Sequence, residues 1–264
     1  MTAFDITRFQ SLLTTERFGR NLLFEPSVGS TMDLARDAAT RGAPEGTVAA
    51  ADEQTAGRGR LGRTWVTPPA VNLASTLVVR PPHSVLRDIA MIAPLAVCHA
   101  IQDVASIRPD IKWPNDVMIG GKKVAGVLIE VPEASAPDAA ARGGPVVLVG
   151  CGINVNLDPR QYDEIRDIAT SVKVECGHDV DREALLAAYL SHFERHYDAA
   201  RTGESMRDRW RERLITLGQP VHASWPGGEA DGVAEDVDDA GALIVRTASG
   251  ATVTVEAGDV TLRA

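Results

Sequence analysis

The stretch Gly57-Arg58-Gly59-Arg60-Leu61-Gly62-Arg63-Thr64-Trp65 is the most distinctive part of this sequence. Its first seven residues hold three arginines and three glycines, in a chain of 264 residues whose net charge is −9. Arginine forks match the geometry of carboxylates and phosphates, and interleaved glycines let backbone N–H groups approach an anion closely. The stretch therefore predicts a loop that is mobile when empty and becomes ordered over a small anionic ligand.

The bulk composition is that of a globular protein with one large and one small domain, since 44% of the residues are hydrophobic and 24% are charged. The acidic balance argues against a nucleic-acid partner, because a phosphate backbone is normally met by a broad basic surface. Residues 1–5 do not resemble a secretory signal, and the apolar window 89–101 is too short to span a bilayer. Three cysteines without C-x-x-C spacing suit a reducing compartment. We therefore expect a cytoplasmic protein with no membrane partner.

Hydrophobic periodicity predicts an alternation of helices and short strands over the first 214 residues. The predicted helices cover residues 6–13, a segment that begins with a capping box at Ser30 and stops at Gly42, and residues 84–106, 181–201 and 204–214. The predicted strands cover residues 47–51, 71–79, 111–113, 116–119, 123–131 and 146–149. Residues 133–145, rich in Ala, Pro and Gly, are interpreted as an exposed loop.

The character of the chain changes after Gly218. Short β-patterned runs follow one another, separated by glycines and Asp-Asp turns, at residues 221–224, 231–236, 242–246 and 252–255. This pattern is typical of a small all-β domain of the size of an SH3-like barrel. We place the domain boundary between residues 1–214 and 215–264.

Three further segments carry polar groups at predicted strand ends. Lys112-Trp113-Pro114-Asn115-Asp116 follows an apolar strand, although Pro-Asn-Asp is also good chemistry for a plain turn. In residues 121–130 a lysine, Lys123, enters an apolar strand, and Gly126 leaves room for a ligand. In residues 150–156 glycines flank a strand end that presents amides. Each segment is ambiguous when it is taken alone.

Together, and in this order and spacing, these segments resemble the biotin–protein ligases (biotin–acetyl-CoA-carboxylase ligases) from about Ser30 to Asn156. The resemblance implies an α+β catalytic domain of the class II synthetase-like, biotin–lipoate ligase type. Such a domain has a mixed, largely antiparallel sheet with helices on one side, and the β-patterned tail fits the family's small SH3-like C-terminal barrel. Met32 departs from the asparagine that is common in the family. The stretch before Ser30 is too short for a winged helix-turn-helix, so we expect the monofunctional form without a DNA-binding domain.

The resemblance implies an ATP-dependent ligase that joins biotin to AMP with release of pyrophosphate, and then transfers biotin to a lysine of a biotin carboxyl carrier protein. The implied biotin-binding residues are Ser30, Thr31, Gln54, Gly57, Arg58, Arg60, Lys123 and Gly126. The implied ATP- and adenylate-binding residues are Arg58, Arg60, Arg63, Trp65, Asn115, Lys123 and Asn154. The implied catalytic residues are Lys123, Arg60, Lys112 and Asp116.

The residue types suit this chemistry. A carboxylate must approach a polyphosphate, so fixed cations and Mg²⁺ are needed to screen their repulsion. Ser30, Thr31 and Gln54 offer hydrogen bonds to a neutral ring, and Trp65 and Asn115 suit an adenine. Asp116 could hold Mg²⁺ or receive the proton of the acceptor lysine, and the sequence does not choose between these roles.

Other interpretations remain open at this point. A lipoate–protein ligase would share the fold, a non-catalytic biotin-sensing module would share the binding site, and the basic loop alone could contact single-stranded nucleic acid. A homodimer is a further expectation from relatives. His192 and His196 are interpreted as a surface or partly packed pair because no third metal ligand is evident, and Cys151 as a packed residue.

Overall fold

The computed structural model describes residues 2–132 and 145–263, so the loop predicted at 133–145 lies almost entirely outside the described residues. The described chain contains a larger sheet of seven strands, with the order β1-β2-β3-β7-β6-β5-β4. These strands are β1 (Leu22–Val28), β2 (Val48–Gln54), β3 (Leu73–Val79), β4 (Asp110–Lys112), β5 (Asp116–Ile119), β6 (Lys122–Glu130) and β7 (Val147–Ile153). Because β1 and β2 are parallel and every other neighbouring pair is antiparallel, the predicted mixed sheet is confirmed.

Two strands differ from the sequence prediction. β1 was not predicted, because Glu25, Pro26 and Ser27 interrupt its apolar pattern; proline is tolerated there since β1 is an edge strand. β7 does not end before Gly150 as predicted but runs on to Ile153, since Gly150 and Gly152 pair with residues of β3 and β6. These glycines therefore lie inside the sheet, where they leave its surface without side chains.

The described residues form six α-helices. They are α1 (Ile6–Leu12), α2 (Thr31–Thr40), α3 (Ile89–Ala105), α4 (Val172–Cys176), α5 (Arg182–Arg201) and α6 (Arg207–Arg211). Ser30 is the N-cap of α2, and its side chain accepts a hydrogen bond from the N–H of Met32. The predicted helix 84–106 is shorter at its start, since residues 83–85 form a separate 3₁₀ turn, and α6 is shorter at both ends than predicted.

Helices cover both faces of the large sheet. The large hydrophobic core includes buried residues of α1, α3 and α5 together with Val48, Leu77 and Val149. A second, smaller core joins α2 to neighbouring strand residues such as Ala49 and Val78. Since successive strand residues point to opposite faces, α2 lies on the opposite face from the other helices. The predicted fold class is confirmed. The expectation that helices lie on one side of the sheet only was wrong, because α2 lies on the other side.

α3 and α5 pack against each other and bring three histidines together. His192 and His196 of α5 are 8% and 3% exposed, so they are buried rather than a surface or partly packed pair. His99 of α3 lies beside them, with its ring centroid 5.1 Å from that of His196. A third residue that could ligate a metal ion was not evident from the sequence, because His99 comes from a different helix.

The C-terminal part forms a separate antiparallel sheet of five strands in the order β11-β10-β9-β8-β12. The strands are β8 (Pro220–Trp225), β9 (Gly228–Val237), β10 (Leu243–Thr247), β11 (Thr252–Val255) and β12 (Asp259–Leu262). The predicted small all-β unit is confirmed, with β12 as an additional strand. The exact boundary between residues 214 and 215 stays a prediction. Among the described residues, none of the helices has the length and apolar character needed to cross a membrane.

A hydrogen bond joins the connection between β4 and β5 to the connection between β9 and β10 in the C-terminal part. The indole N–H of Trp113 donates to the carbonyl of Gly241 at 2.9 Å, and Trp113 is only 2% exposed. We expect Trp113→Phe to lower the free energy of unfolding by about 1–2 kcal/mol, because the carbonyl loses its donor within a partly buried contact. Urea denaturation measures this change. The matched variant Trp225→Phe, in the half-buried ring that lies against Gly228, should change stability less; an equal loss would contradict the prediction.

Candidate functional site

A cavity of about 520 Å³ lies between the start of α2, the basic loop, the β5–β6 hairpin and β12. Every residue that the sequence predicted for the site lines it, with the exception of Gly57. These lining residues are Ser30, Thr31, Gln54, Arg58, Arg60, Arg63, Trp65, Lys112, Asn115, Asp116, Lys123, Gly126 and Asn154. The fold thus brings together segments that are distant in the chain.

One part of the cavity wall is polar but uncharged. The backbone N–H and the hydroxyl of Thr31 both donate to Oε1 of Gln54, at 2.9 and 3.1 Å. The amide nitrogen of Gln54 donates to the hydroxyl of Thr67 at 3.2 Å. Ser30 and Thr31 are each 3% exposed. This network holds hydroxyl and amide groups in fixed orientations, as recognition of a neutral polar ligand requires.

Lys123 places a cation on the cavity floor. Its Nζ lies 2.5 Å from Oδ1 of Asp116 and 5.5 Å from the ring centroid of Trp65. The hairpin of β5 and β6 sets this geometry, because Asp116 pairs directly with Gly126 and the register shifts before Met118. A methyl group at Gly126 would lie 3.0 Å from the Lys123 Nζ, so a side chain there would press on the cation.

Trp65 covers Gly152 of β7. A methyl group at Gly152 would lie 2.3 Å from Nε1 of Trp65, a distance that excludes any side chain at this position. Within the described part of the chain, the Trp65 Nε1 is buried and has no hydrogen-bond partner. A buried donor without a partner is unusual and costly, which marks this position as one that a ligand could satisfy.

The three loop arginines hold the loop across the cavity mouth. Arg58 donates two hydrogen bonds to Asp33 of α2, at 2.9 and 2.8 Å. Arg60 donates to Oδ1 of Asn115 at 2.8 Å and to the carbonyl of Gly258 at 2.5 Å. Arg63 forms an ion pair with Asp259, with 2.5 Å between Nη2 of the arginine and Oδ2 of the aspartate. The loop therefore connects the N-terminal end of α2 to the C-terminal sheet.

The charges near the mouth shift several pKa values. Burial lowers the pKa of Arg60 from its ordinary value, although the charges of Asp259 and Asp116 act in the opposite direction. Burial would raise the pKa of Asp259, but the hydrogen bond and charge of Arg63, together with Lys112, lower it overall. Asp259 is thus held as an anion beside a group of cations.

Asn115 and Lys112 complete the charged side of the cavity. The amide nitrogen of Asn115 donates to the carbonyl of Val127, and its oxygen accepts from Arg60. Lys112 lies on β4 directly opposite Asp116 of β5. The short β4–β5 connection brings both residues to the cavity, because the Pro-Asn turn keeps the connection compact.

Gly57 and Asn154 support the site from behind. The carbonyl of Gly57 accepts from the N–H of Trp65 at 2.9 Å, and a methyl group at Gly57 would lie 2.3 Å from the Trp65 carbonyl. Asn154 is 3% exposed, and its amide already accepts from Asn72 and donates to the carbonyl of Thr170. Ligand contacts of these two residues stay predictions.

Several lining residues were missed by sequence reasoning. They belong to α2, to the connection before α4 and to β12, and they are Met32, Ile165, Asp167, Ile168, Ala169, Asp259, Thr261 and Leu262. The N–H of Lys123 donates to the carbonyl of Ile168 at 2.9 Å, which draws that connection over the site. Among them, Asp167 and Asp259 are acidic, but single acidic residues are common on surfaces and do not mark a site by themselves.

Cys151 also reaches the cavity lining, yet it is 3% exposed. Burial raises the pKa of its thiol to about 12, so it is a thiol rather than a thiolate near neutral pH. The prediction of a packed residue is confirmed.

Comparison with known proteins identifies the family. Residues 24–143 match the biotin/lipoate A/B protein ligase family, and residues 216–263 match the biotin protein ligase C terminal domain. The bifunctional ligase/repressor BirA of Bacillus subtilis is 35% identical over 90% of this chain and 73% of the relative. The biotin–[acetyl-CoA-carboxylase] ligase of Mycobacterium tuberculosis is 33% identical over 91% of this chain and 88% of the relative.

Solved structures agree. The biotin protein ligase from Aquifex aeolicus in complex with biotin and ATP has a TM-score of 0.79 at 27% identity, and the match covers 92% of this chain and 99% of that one. The chain therefore belongs to the biotin protein ligases of the biotin/lipoate A/B protein ligase family.

Proposed function

We propose that this cavity activates biotin with ATP, forming biotinyl-5′-AMP and pyrophosphate, and then transfers biotin to a lysine of a biotin carboxyl carrier protein. The observation that supports this function most directly is the position of Lys123. Its Nζ lies on a glycine-lined floor beside Asp116 and Trp65. This reaction is supported by relatives named biotin–[acetyl-CoA-carboxylase] ligase and by the relative whose structure holds biotin and ATP. These comparisons favour biotin activation and transfer over a lipoate–protein ligase or a biotin-sensing module.

The uncharged wall suits the head of biotin. A ureido ring is neutral and offers both donors and acceptors, which match the hydroxyls of Ser30 and Thr31 and the amide of Gln54. Met32 is 3% exposed and packs against Gly150, so the neighbouring surface is apolar. The carboxylate of biotin would then point toward the cations of the mouth.

The cations bring the carboxylate and the α-phosphate together. Lys123 is our candidate for the group that stabilises charge at the α-phosphorus, and Arg60 for the group that holds the carboxylate and later the adenylate. Arg58, Arg63 and Lys112 add positive charge around the polyphosphate. In this step a carboxylate oxygen of biotin forms a bond to the α-phosphorus of ATP. The bond between the α-phosphorus and the oxygen of the leaving pyrophosphate breaks at the same time. Positioning is most of the catalysis that such a displacement needs.

Mg²⁺ is a further expectation, and the donor set fits it. Three carboxylates line the cavity, those of Asp116, Asp167 and Asp259, and Asp259 is paired with Arg63. Mg²⁺ is commonly held by one or two carboxylates together with phosphate oxygens, so Asp116 and Asp167 are the candidates. When bound, the ion supplies neutralisation of phosphate charge. Asp116 is also the candidate to receive the proton of the acceptor lysine, because its carboxylate lines the cavity.

The adenine is assigned to Trp65 and Asn115, and this assignment predicts a strong effect at Gly152. In Gly152→Ala the added methyl would collide with the indole, so Trp65 must leave its place. We expect the KM for ATP to rise about tenfold, since an aromatic contact of about 0.5–1.5 kcal/mol is lost and 1.4 kcal/mol corresponds to tenfold. Steady-state pyrophosphate exchange measures this. The control Gly29→Ala, whose methyl meets no atom within 4 Å, should leave KM unchanged; an unchanged KM in Gly152→Ala would remove Trp65 from the ATP site.

Several wider expectations belong to the same proposal. The carrier protein is the acceptor partner. A homodimer is expected from relatives, and the acidic net charge argues against a nucleic-acid partner. The expected location is the cytoplasm. Arg60 and Arg63 contact Gly258 and Asp259, so the C-terminal residues 215–264 would help to close the site over ATP.

The test is biotin-dependent exchange of labelled pyrophosphate into ATP on the purified protein, with lipoate as the control acid. Exchange that requires biotin and Mg²⁺ and is absent with lipoate supports the proposal. Exchange with lipoate alone would overturn the substrate, and biotin binding without exchange would favour the sensing module. Transfer is then followed with an isolated carrier domain by mass spectrometry.

A further inference from the structure

A cluster of three histidines and one aspartate lies between α3 and α5, outside the ligand cavity. α3 contributes His99 and Asp103, and α5 contributes His192 and His196, so each helix presents two residues spaced by four positions on one face. Nδ1 of His99 lies 3.0 Å from Nε2 of His196, and Nε2 of His192 lies 2.7 Å from Oδ2 of Asp103. One nitrogen of each histidine lies within 4.8 Å of the other two.

This cluster is poorly satisfied by the protein itself. Within the described residues, Nδ1 of His192 and Nδ1 of His196 are buried and have no hydrogen-bond partner. A buried polar atom without a partner destabilises the fold, and three apolar side chains could fill the same space without that cost. His192 and His196 are 8% and 3% exposed as whole residues, and the His192 side chain is 11% exposed. The nitrogen of His196 that faces His99 is Nε2, on the other edge of the ring from the unpartnered Nδ1.

Charged groups also surround the cluster. Arg213 and Arg195 act on His99, and Arg195 and Arg209 act on His196. These cations oppose a divalent ion, and the Asp103 carboxylate, which contacts His192, offsets part of that repulsion. Neutral imidazole is the form that coordinates a metal ion.

We propose that His99, His192 and His196 bind a divalent transition-metal ion, Zn²⁺ by preference, with Asp103 as a fourth ligand or as the carboxylate that orients His192. Two nitrogens at about 2.0–2.1 Å from a tetrahedral Zn²⁺ lie roughly 3.4 Å apart, close to the separation of His99 and His196. The ring centroids form a triangle with sides of 5.1, 5.2 and 6.2 Å. Imidazole ligands suit zinc, and a carboxylate beside a ligating histidine is a common partner.

The position of the site explains what an ion would do. None of the four residues lines the ligand cavity, and the ion would join α3, which packs under β5 and β6, to α5. The Asp103 side chain is 62% exposed, which gives an ion a path from solvent. The site would therefore act as a clip between two helices that support the sheet, rather than as part of the ligase chemistry.

The experiment uses the full chain, freed of metal by dialysis against a chelator, and titrated with Zn²⁺ alone in the absence of ATP and biotin. We expect one saturable equivalent and a rise in Tm on binding. His196→Gln should weaken Zn²⁺ binding at least about 100-fold, and Asp103→Asn roughly 10-fold, the range seen for ligands and their supporting carboxylates. His222→Gln, a matched change in the C-terminal sheet, should leave the affinity unchanged. Circular dichroism verifies that each variant is folded, and Asp103→Asn serves if His196→Gln is not, because Asp103 is largely exposed.

Substitution of Co²⁺ reports on the ligands. A visible spectrum of a tetrahedral nitrogen and oxygen site supports the proposal, whereas thiolate-to-metal bands would assign the ion to cysteine and overturn it. Absence of stoichiometric Zn²⁺ binding, unchanged binding in both cluster variants, or an equal loss in His222→Gln would also overturn it. None of these outcomes depends on biotin activation, so failure here is separate from failure of the proposed function.

Discussion

Lys123→Ala is expected to lower the rate of biotin-dependent pyrophosphate exchange at saturating substrates by about 10²–10³-fold, the loss typical of a removed donor that stabilises developing charge. The structural reason is that the Nζ of Lys123 reaches the floor of the cavity, 2.5 Å from Asp116 and over the Trp65 ring. The register of the β5–β6 hairpin and the ion pair with Asp116 set this position. The measurement is the initial rate of exchange at several biotin and ATP concentrations.

The adjacent residue provides the control. Lys122 belongs to the same strand but is exposed, since successive side chains of a strand point to opposite faces. Lys122→Ala should therefore retain the wild-type rate. Near wild-type turnover in Lys123→Ala would refute the catalytic role. A rise in KM with an unchanged maximal rate would refute it too, because it would make Lys123 a residue that binds ground state and transition state equally.

The parts of this site that could be predicted from the sequence are those carried by local motifs. The basic loop, Lys112 to Asp116 and Lys123 each combine residue types whose chemistry is readable at short spacing. Trp65 was assigned an aromatic role, but its contact with Gly152 comes from the pairing of β7 with β3 and β6. A pairing between distant strands leaves no mark in either segment alone.

The parts that could not be predicted depend on tertiary packing. Asp259 meets Arg63 only because β12 closes the small sheet beside β8, and its sequence is an ordinary turn. Asp33 was interpreted within a capping box, yet it also binds Arg58. His99 lies in the middle of an apolar helix, where a buried histidine is more often core than ligand. Its relation to His196 needs the packing of α3 on α5.

Arg60→Gly is expected to change specificity rather than abolish activation. Arg60 ties the loop to Asn115 and to the carbonyl of Gly258, so its loss removes one of the two contacts described above between the loop and the C-terminal part; the pair of Arg63 and Asp259 remains. The adenylate is a mixed anhydride, and a closed lid protects it from water and from stray amines. We expect Arg60→Gly to release biotinyl-5′-AMP and to label lysines of an unrelated protein such as serum albumin. Streptavidin blotting and mass spectrometry of both proteins measure this labelling.

The comparison variant Arg160→Gly separates loss of the lid from loss of an arginine. Arg160 is also an exposed loop arginine, 82% exposed and paired with Asp158, but it does not line the cavity. The Arg160→Gly variant should therefore biotinylate only the lysine of the carrier protein. If Arg60→Gly did the same, the contacts to Asn115 and Gly258 would be incidental to retention of the adenylate. Labelling of albumin by Arg60→Gly and not by Arg160→Gly would mean that closure against the C-terminal sheet retains the intermediate, since Arg60 is the residue that joins the loop to both parts of the wall.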